Sequence, residues 1–230
     1  TFGIPCRIAR IIEICKEYGI PVVEDAAESL GSYIGRRHTG TYGDIGTFSF
    51  NGNKIITTGG GGMIVTNDQA LAVRARHLTT TAKVPHSYEF VHDEVGYNYR
   101  LPNLNAALGC AQMEKLPVML AIKADLAKQY QDFCDRHGFQ FILSPVGTAP
   151  NHWLNAITLE DAEQRDAFLN YTNSKGVMTR PVWRLMSSLA MFNGCQNDGL
   201  MNSRWLEDRV VNLPSSVPEL EFERIRKWMY

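Results

Sequence analysis

IPVVEDAAESLG, residues 20–31, decides the fold. Ile20–Val23 is an apolar run of strand length, closed by Glu24 and Asp25 and followed by small residues. Ahead of it, residues 7–18 (RIARIIEICKEY) place Ile8, Ile11, Ile12, Cys15 and Tyr18 at helical spacing, and Gly19 sits where a helix stops. Helix, short turn, apolar strand, then carboxylates at the strand's carboxyl end is the grammar of an α/β domain, which binds ligands at that end of its sheet. A carboxylate there, followed by alanines, lets a flat ring approach closely. The same residues also suit a helix cap or a surface carboxylate.

Working outward, residues 46–50 alternate, with Phe48 and Phe50 on one face and Thr47 and Ser49 on the other. Asn51-Gly52-Asn53-Lys54 then makes a turn before Ile55-Ile56, four glycines (Gly59–Gly62) and a second strand over Met63–Thr66. A lysine held in a turn between apolar strands is positioned to act as a Schiff-base nucleophile. Ser49 and nearby amides suit a phosphate. A solvated turn lysine beside a flexible hairpin is the plainer alternative. The glycines follow neither the Walker nor the GxGxxG pattern. Asn67 is placed to cap a helix over about 68–77. Residues 79–100 are polar, aromatic and irregular, as functional loops are. Their end, HDEVGYNYRLPN (residues 92–103), packs donors, aromatics and Arg100 just before a helix. Such a set suits phosphate or carboxylate recognition, or a loop pinned to the core by its tyrosines. Neither a serine-triad spacing nor a metal-ligand spacing is present.

From Asn103 the helical period returns, breaks near Pro117 and resumes to about Arg136. A smaller α+β unit follows, with strands near 139–143, 153–159 and 177–183, a helix over about 161–175, and a terminal helix after Pro218. Residues 1–115 therefore read as part of a large α/β domain, and residues 116–230 as an interdomain helix and a small domain.

Composition narrows the function. Across 230 residues, 23 Lys+Arg against 24 Asp+Glu give a formal charge of −1, with 44% hydrophobic and 20% charged residues. That is a globular chain, without the basic footprint of a nucleic-acid binder. No apolar stretch is long enough to span a bilayer. Five cysteines without a CxxC pair read as reduced thiols of a cytoplasmic protein.

In this order, VVEDAAESLGSYIGRRHTGTYGDIGTFSFNGNKIITTGGGGMIVT and HDEVGYNYRLPNLNAALGCAQMEKL resemble the DegT/DnrJ/StrS family of sugar aminotransferases, over about residues 2–215. The resemblance implies a fold-type I α/β enzyme that uses pyridoxal 5′-phosphate. Within the family, SFNGNKIITTGG and the trailing RPVW…VNLPSS look most like enzymes that aminate C4 of nucleotide-linked 4-keto-6-deoxy sugars, as in perosamine, bacillosamine and legionaminic acid synthesis. It implies Lys54 as the Schiff-base lysine, Asp25 as partner of the pyridine nitrogen, Ala27 against the ring face and Glu28 near the ring hydroxyl. Ser49 becomes a phosphate ligand, and Asn98 the residue that reaches the cofactor phosphate of a neighbouring subunit in a homodimer. Glutamate is the implied amino donor. Arg180 and Trp183 are candidates for touching the nucleotide or sugar, or equally for a packed Trp beside an Arg with a buried stem. No metal is implied.

Three departures stand out. Gly60 replaces the glutamate of the usual GEGG, and Leu101-Pro102-Asn103 continues a motif that usually runs on to Thr or Asp. Nothing here matches the family's serine/glycine/threonine helix start for the cofactor phosphate, nor its ring-stacking aromatic, so the chain reads as a fragment or as having lost half its pocket. The alternatives are a sugar dehydratase, against which Lys54 speaks because those members carry histidine there, and a degenerate member that only binds.

Overall fold

A computed structural model describes residues 1–217. The described residues form two compact units, one of residues 1, 3–120 and 144–153, the other of residues 2, 121–143 and 154–217.

In the first unit, α1 (Ile8–Glu17) buries Ile8 and leaves Ile11 and Ile14 exposed. Gly19 turns the chain with φ +64°, a conformation that glycine adopts without strain. Strand β1 is Val23–Asp25, later than the Ile20–Val23 expected from the apolar run. Pro21 has no N–H, and the Val22 N–H donates to the Asp44 carboxylate at 2.7 Å, so neither feeds a sheet ladder. A small hairpin follows, β2 (Tyr33–Ile34) and β3 (Arg37–His38), before β4 (Ile45–Ser49) and β5 (Gly62–Val65). The sheet order is β1-β4-β5, with β1 parallel to β4 (Asp25 opposite Thr47) and β4 antiparallel to β5. Gly46 is required there, because a Cβ on it would lie 1.8 Å from the Gly40 carbonyl oxygen.

Helix α2 (Gln69–Thr79) is capped by Asp68, whose Oδ1 accepts the Leu71 N–H at 3.0 Å, rather than by Asn67. The irregular stretch contains a ribbon of β6 (Lys83–Val84) and β7 (Val91–His92). Helix α3 (Asn103–His137) runs unbroken through Pro117, against the expected break. Proline removes one helical hydrogen bond there, but the buried stripe of Leu116, Met119, Lys123, Ala127 and Cys134 continues on both sides of it, and that burial holds the helix together.

The second unit is antiparallel. After α3 come β8 (Gln140–Phe141), then β9 (Thr148–Ala149), which returns to the first unit to pair with β2. β10 (Asn155–Thr158), α4 (Ala162–Ser174), β11 (Arg180–Pro181), two single 3₁₀ turns, α5 (Met201–Glu207) and β12 (Val210–Leu213) complete it. The sheet order is β11-β12-β10-β8. Ile157, Leu159, Val211 and Cys134 form its core, with Phe141, Phe168, Leu169 and Leu213 packed around them. The α4 cap is Asp161, accepting the Gln164 N–H at 2.8 Å. β12 is a central strand that the sequence reading did not mark as one. The expected terminal helix after Pro218 lies outside the described residues. No described helix is long and apolar enough to cross a membrane, and all five cysteines are free.

Lys123 is 5% exposed, and its Nζ donates to the Ser215 carbonyl. Burial lowers its pKa from 10.5 to about 8. Below pH 8 the native state carries a buried cation at full penalty. Between about 8 and 10.5 the unfolded chain binds more protons than the native one, so stability rises with pH there. Lys123→Met lacks this proton linkage, so its stability in urea unfolding should fall by roughly 3 kcal/mol relative to the parent on going from pH 7 to pH 10.5; a difference that stays constant with pH would contradict this.

Candidate active site

The site begins at the carboxyl ends of two parallel neighbours, β1 and β4. Successive strand side chains face opposite ways, which gives the adjacent carboxylates of β1 different surroundings. Glu24 is buried. Its carboxylate accepts the N–H groups of Gly40 (2.8 Å), Gly43 (2.6 Å) and Tyr42. It therefore ties down the loop that leads into β4. Asp25 is exposed; its Oδ1 accepts the Ala27 N–H at 3.1 Å, an Asx turn that leaves the carboxylate accessible. Asp25, Ala27 and Glu28 line a cavity of about 530 Å³.

Beyond β4 the chain turns tightly. Ser49 Oγ accepts the Asn51 N–H at 3.3 Å, and the Lys54 N–H donates to the Asn51 carbonyl at 3.0 Å. Buried Phe50 and Ile56 anchor the two ends of the turn. The Lys54 side chain is 14% exposed, with Nζ 3.7 Å from Glu28 Oε1 and 4.3 Å from the centre of the Trp153 ring. Ala27, Glu28, Ser49 and Lys54 converge with Trp153 around one tight crevice with no room for a water-sized molecule. Asp25 adjoins it through Ala27 and Glu28, which border both the crevice and the cavity.

The glycine turn is fastened by α3. The Asn105 amide donates to the Thr58 carbonyl, and the Thr57 N–H donates to Gln112 Oε1 at 3.1 Å. Gly59 and Gly61 have φ of +80° and +97°, and a Cβ on Gly61 would meet Leu101 at 2.6 Å. Gly60 has neither constraint, since open space surrounds its missing Cβ.

The remaining candidates lie elsewhere. Asn98 is exposed and forms an isolated bridge with Thr80, beside the stacked rings of Tyr97 and Tyr99 (5.1 Å). Arg180 and Trp183 belong to the second unit, Arg180 exposed on β11 and Trp183 stacked on Phe2 at 6.2 Å. Sequence reading missed Trp153 as a neighbour of Lys54, because a hundred residues separate it from Asn53 and no local pattern marks it. It also missed a grouping of His77, Asp93 and Glu94, with His77 Nε2 2.7 Å from Asp93 Oδ1 and 3.3 Å from Glu94 Oε1. Arg74 binds both Glu94 oxygens and holds that carboxyl below its usual range, so the cluster fastens this loop to α2.

Chemically, one carboxylate faces a cavity, a methyl group follows it, and a shielded amine stands beside a second carboxylate and a hydroxyl. That set suits a small ring bearing a cationic nitrogen, an aldehyde and an anionic group.

A sequence profile of the DegT/DnrJ/EryC1/StrS aminotransferase family matches residues 1–228. The GDP-perosamine synthase of Escherichia coli O157:H7 is 35% identical over 227 residues, covering 97% of this chain and 60% of its own length. EpsN of Bacillus subtilis is 36% identical over 193 residues, 84% of this chain and 50% of its own length. Among solved structures, the aminotransferase TlmJ from Streptoalloteichus hindustanus superposes with a TM-score of 0.88 at 26% identity, over 97% of this chain and 61% of its own. The chain thus spans about half to three fifths of the length of the proteins it matches.

The two neighbouring carboxylates can be told apart by substitution. Glu24→Gln keeps one acceptor oxygen but sets its NH₂ group against at least one of the three backbone donors, and should cost about 2–4 kcal/mol in chemical unfolding. Asp25→Asn keeps the oxygen that Ala27 uses and should stay within about 0.5 kcal/mol of the parent. Equal losses for the two would refute this division of roles.

Proposed function

Because the chain belongs to the DegT/DnrJ/EryC1/StrS aminotransferase family, with the α/β architecture of its fold-type I enzymes, we propose that the whole protein is a pyridoxal phosphate-dependent aminotransferase. Its substrate is the C4 keto group of a nucleotide-linked 4-keto-6-deoxy sugar, and glutamate is its amino donor. The likeness to GDP-perosamine synthases supports the sugar. The observation that carries the reading is the convergence of Lys54 with Glu28, Ala27 and Ser49 beside the cavity that Asp25, Ala27 and Glu28 line.

The residues present fit the cofactor. Asp25 offers an accessible carboxylate to hold a proton at a ring nitrogen, and Ala27 offers a small face to a ring. Ser49 offers a hydroxyl to a phosphate oxygen, and Glu28 accepts from a hydroxyl or an amine. Bound pyridoxal phosphate supplies the electron sink that stabilises the carbanion left when the amino donor loses its α-proton. Lys54 Nζ, shielded from bulk water, is the base that takes that proton and returns it.

The working unit is a homodimer in which Asn98 reaches the neighbouring subunit's cofactor phosphate. Around it Tyr97, Tyr99 and Leu104 are 50%, 72% and 87% exposed, a patch suited to cover by a second copy. Arg180 and Trp183 contact the nucleotide sugar. The protein works in the cytoplasm, in keeping with its unpaired thiols.

In the complete protein, Lys54→Ala should abolish both the visible absorbance of bound cofactor and turnover, and borohydride should attach cofactor to Lys54 in the parent. A yellow, active Lys54→Ala variant would overturn the assignment.

A further inference from the structure

The segment Asn151-His152-Trp153 reaches both loops that carry the candidate site. Asn151 is 1% exposed and uses its whole side chain. Its Nδ2 donates to the carbonyls of Glu28 and Leu30, each at 2.9 Å, and its Oδ1 accepts the Trp153 N–H at 2.8 Å. Its own N–H donates to Ser32 Oγ at 3.0 Å. Two residues on, the Trp153 indole N–H donates to the Asn53 carbonyl at 2.7 Å, and the ring lies 4.3 Å from Lys54 Nζ. Between them His152 adopts φ +51°, a left-handed conformation that a non-glycine residue keeps where its surroundings over-determine it.

One short strut thus holds the backbone of Glu28 at one end and that of Asn53 at the other, with the amine of Lys54 over its aromatic face. An indole face attracts a nearby ammonium, more strongly where water is excluded, and Trp153 is 5% exposed. We propose that Asn151-His152-Trp153 is the positioning element of the site: it sets the separation of the Lys54 amine from the Glu28 carboxylate, and Trp153 holds the unmodified Lys54 ammonium in place. This rests on the reading of Lys54 as the reacting amine. Trp153 acts through Lys54 and is a positioning residue.

The test is competitive acetylation of the full 230-residue chain by N-hydroxysuccinimidyl acetate without added cofactor. Lys54 labelling is read by peptide mass spectrometry against the exposed Lys16 and Lys128. Trp153→Leu removes the ring face and should raise Lys54 labelling about fivefold relative to those standards. Trp153→Phe keeps a ring but loses the indole N–H, and should raise it only about twofold. A merely structural role would raise labelling across the unit and give no rescue by phenylalanine. Lys54 labelling unchanged in Trp153→Leu overturns the proposal; should that variant fail to fold, unchanged labelling in Trp153→Phe does so instead. The outcome separates from that of the cofactor reading. Labelling that responds to Trp153, beside a cofactor band that survives Lys54→Ala, supports the strut and sinks the aminotransferase assignment. The converse pair sinks the strut alone.

Discussion

A buried carboxylate is tolerable only when fully hydrogen-bonded, and Glu24 meets that condition with three backbone N–H groups from one loop. The consequences spread outward. The loop over residues 40–43 is drawn against β1, where a Cβ on Gly46 would meet the Gly40 carbonyl and one on Gly40 would meet Phe48 and Ala26. β4 runs parallel to β1 from there, in the register that sets Asp25 opposite Thr47. With that register fixed, Ser49 ends its strand two residues farther along and Lys54 follows in the turn. Glu24 borders the larger cavity too, but its oxygens are spent on the loop, and the charge so held orders the groups around it.

Much of this was legible beforehand. The helix over residues 8–17, the carboxylates at a strand end, the alternating residues before Lys54 and the hairpin beyond the glycines all follow from periodicity and turn chemistry, which are local. The boundaries that moved did so for reasons of competition. Pro21 and the Asp44 carboxylate take the start of β1 away from the sheet. Asp68 outcompetes Asn67 because its oxygen reaches the Leu71 N–H. Pro117 fails to stop its helix because burial on both sides outweighs one lost hydrogen bond. β12 escaped notice because VVNL is as short as a turn-flanking run, and its central place shows only once β10 and β11 pair with it.

The candidate site divides along the same line. Ala27, Glu28, Ser49 and Lys54 sit in segments whose local pattern already suggested chemistry, and the fold brings them to one crevice. Trp153 sits in a segment that looked like the start of a strand. Its place under Lys54 depends on β9 pairing with β2, and no spacing rule reveals such a partner. The open position at Gly60 is likewise a tertiary fact: its neighbours need glycine for their φ, and it does not.

The late return of the chain to its first unit has a consequence for biosynthesis. Trp153 and Asn53 lie 100 positions apart, and at a ribosomal rate of about 5–20 residues per second that gap lasts roughly 5–20 s. For that interval a nascent chain displays its lysine loop without the indole beneath it. Whatever the emerging amine meets on the ribosome, it meets unguarded.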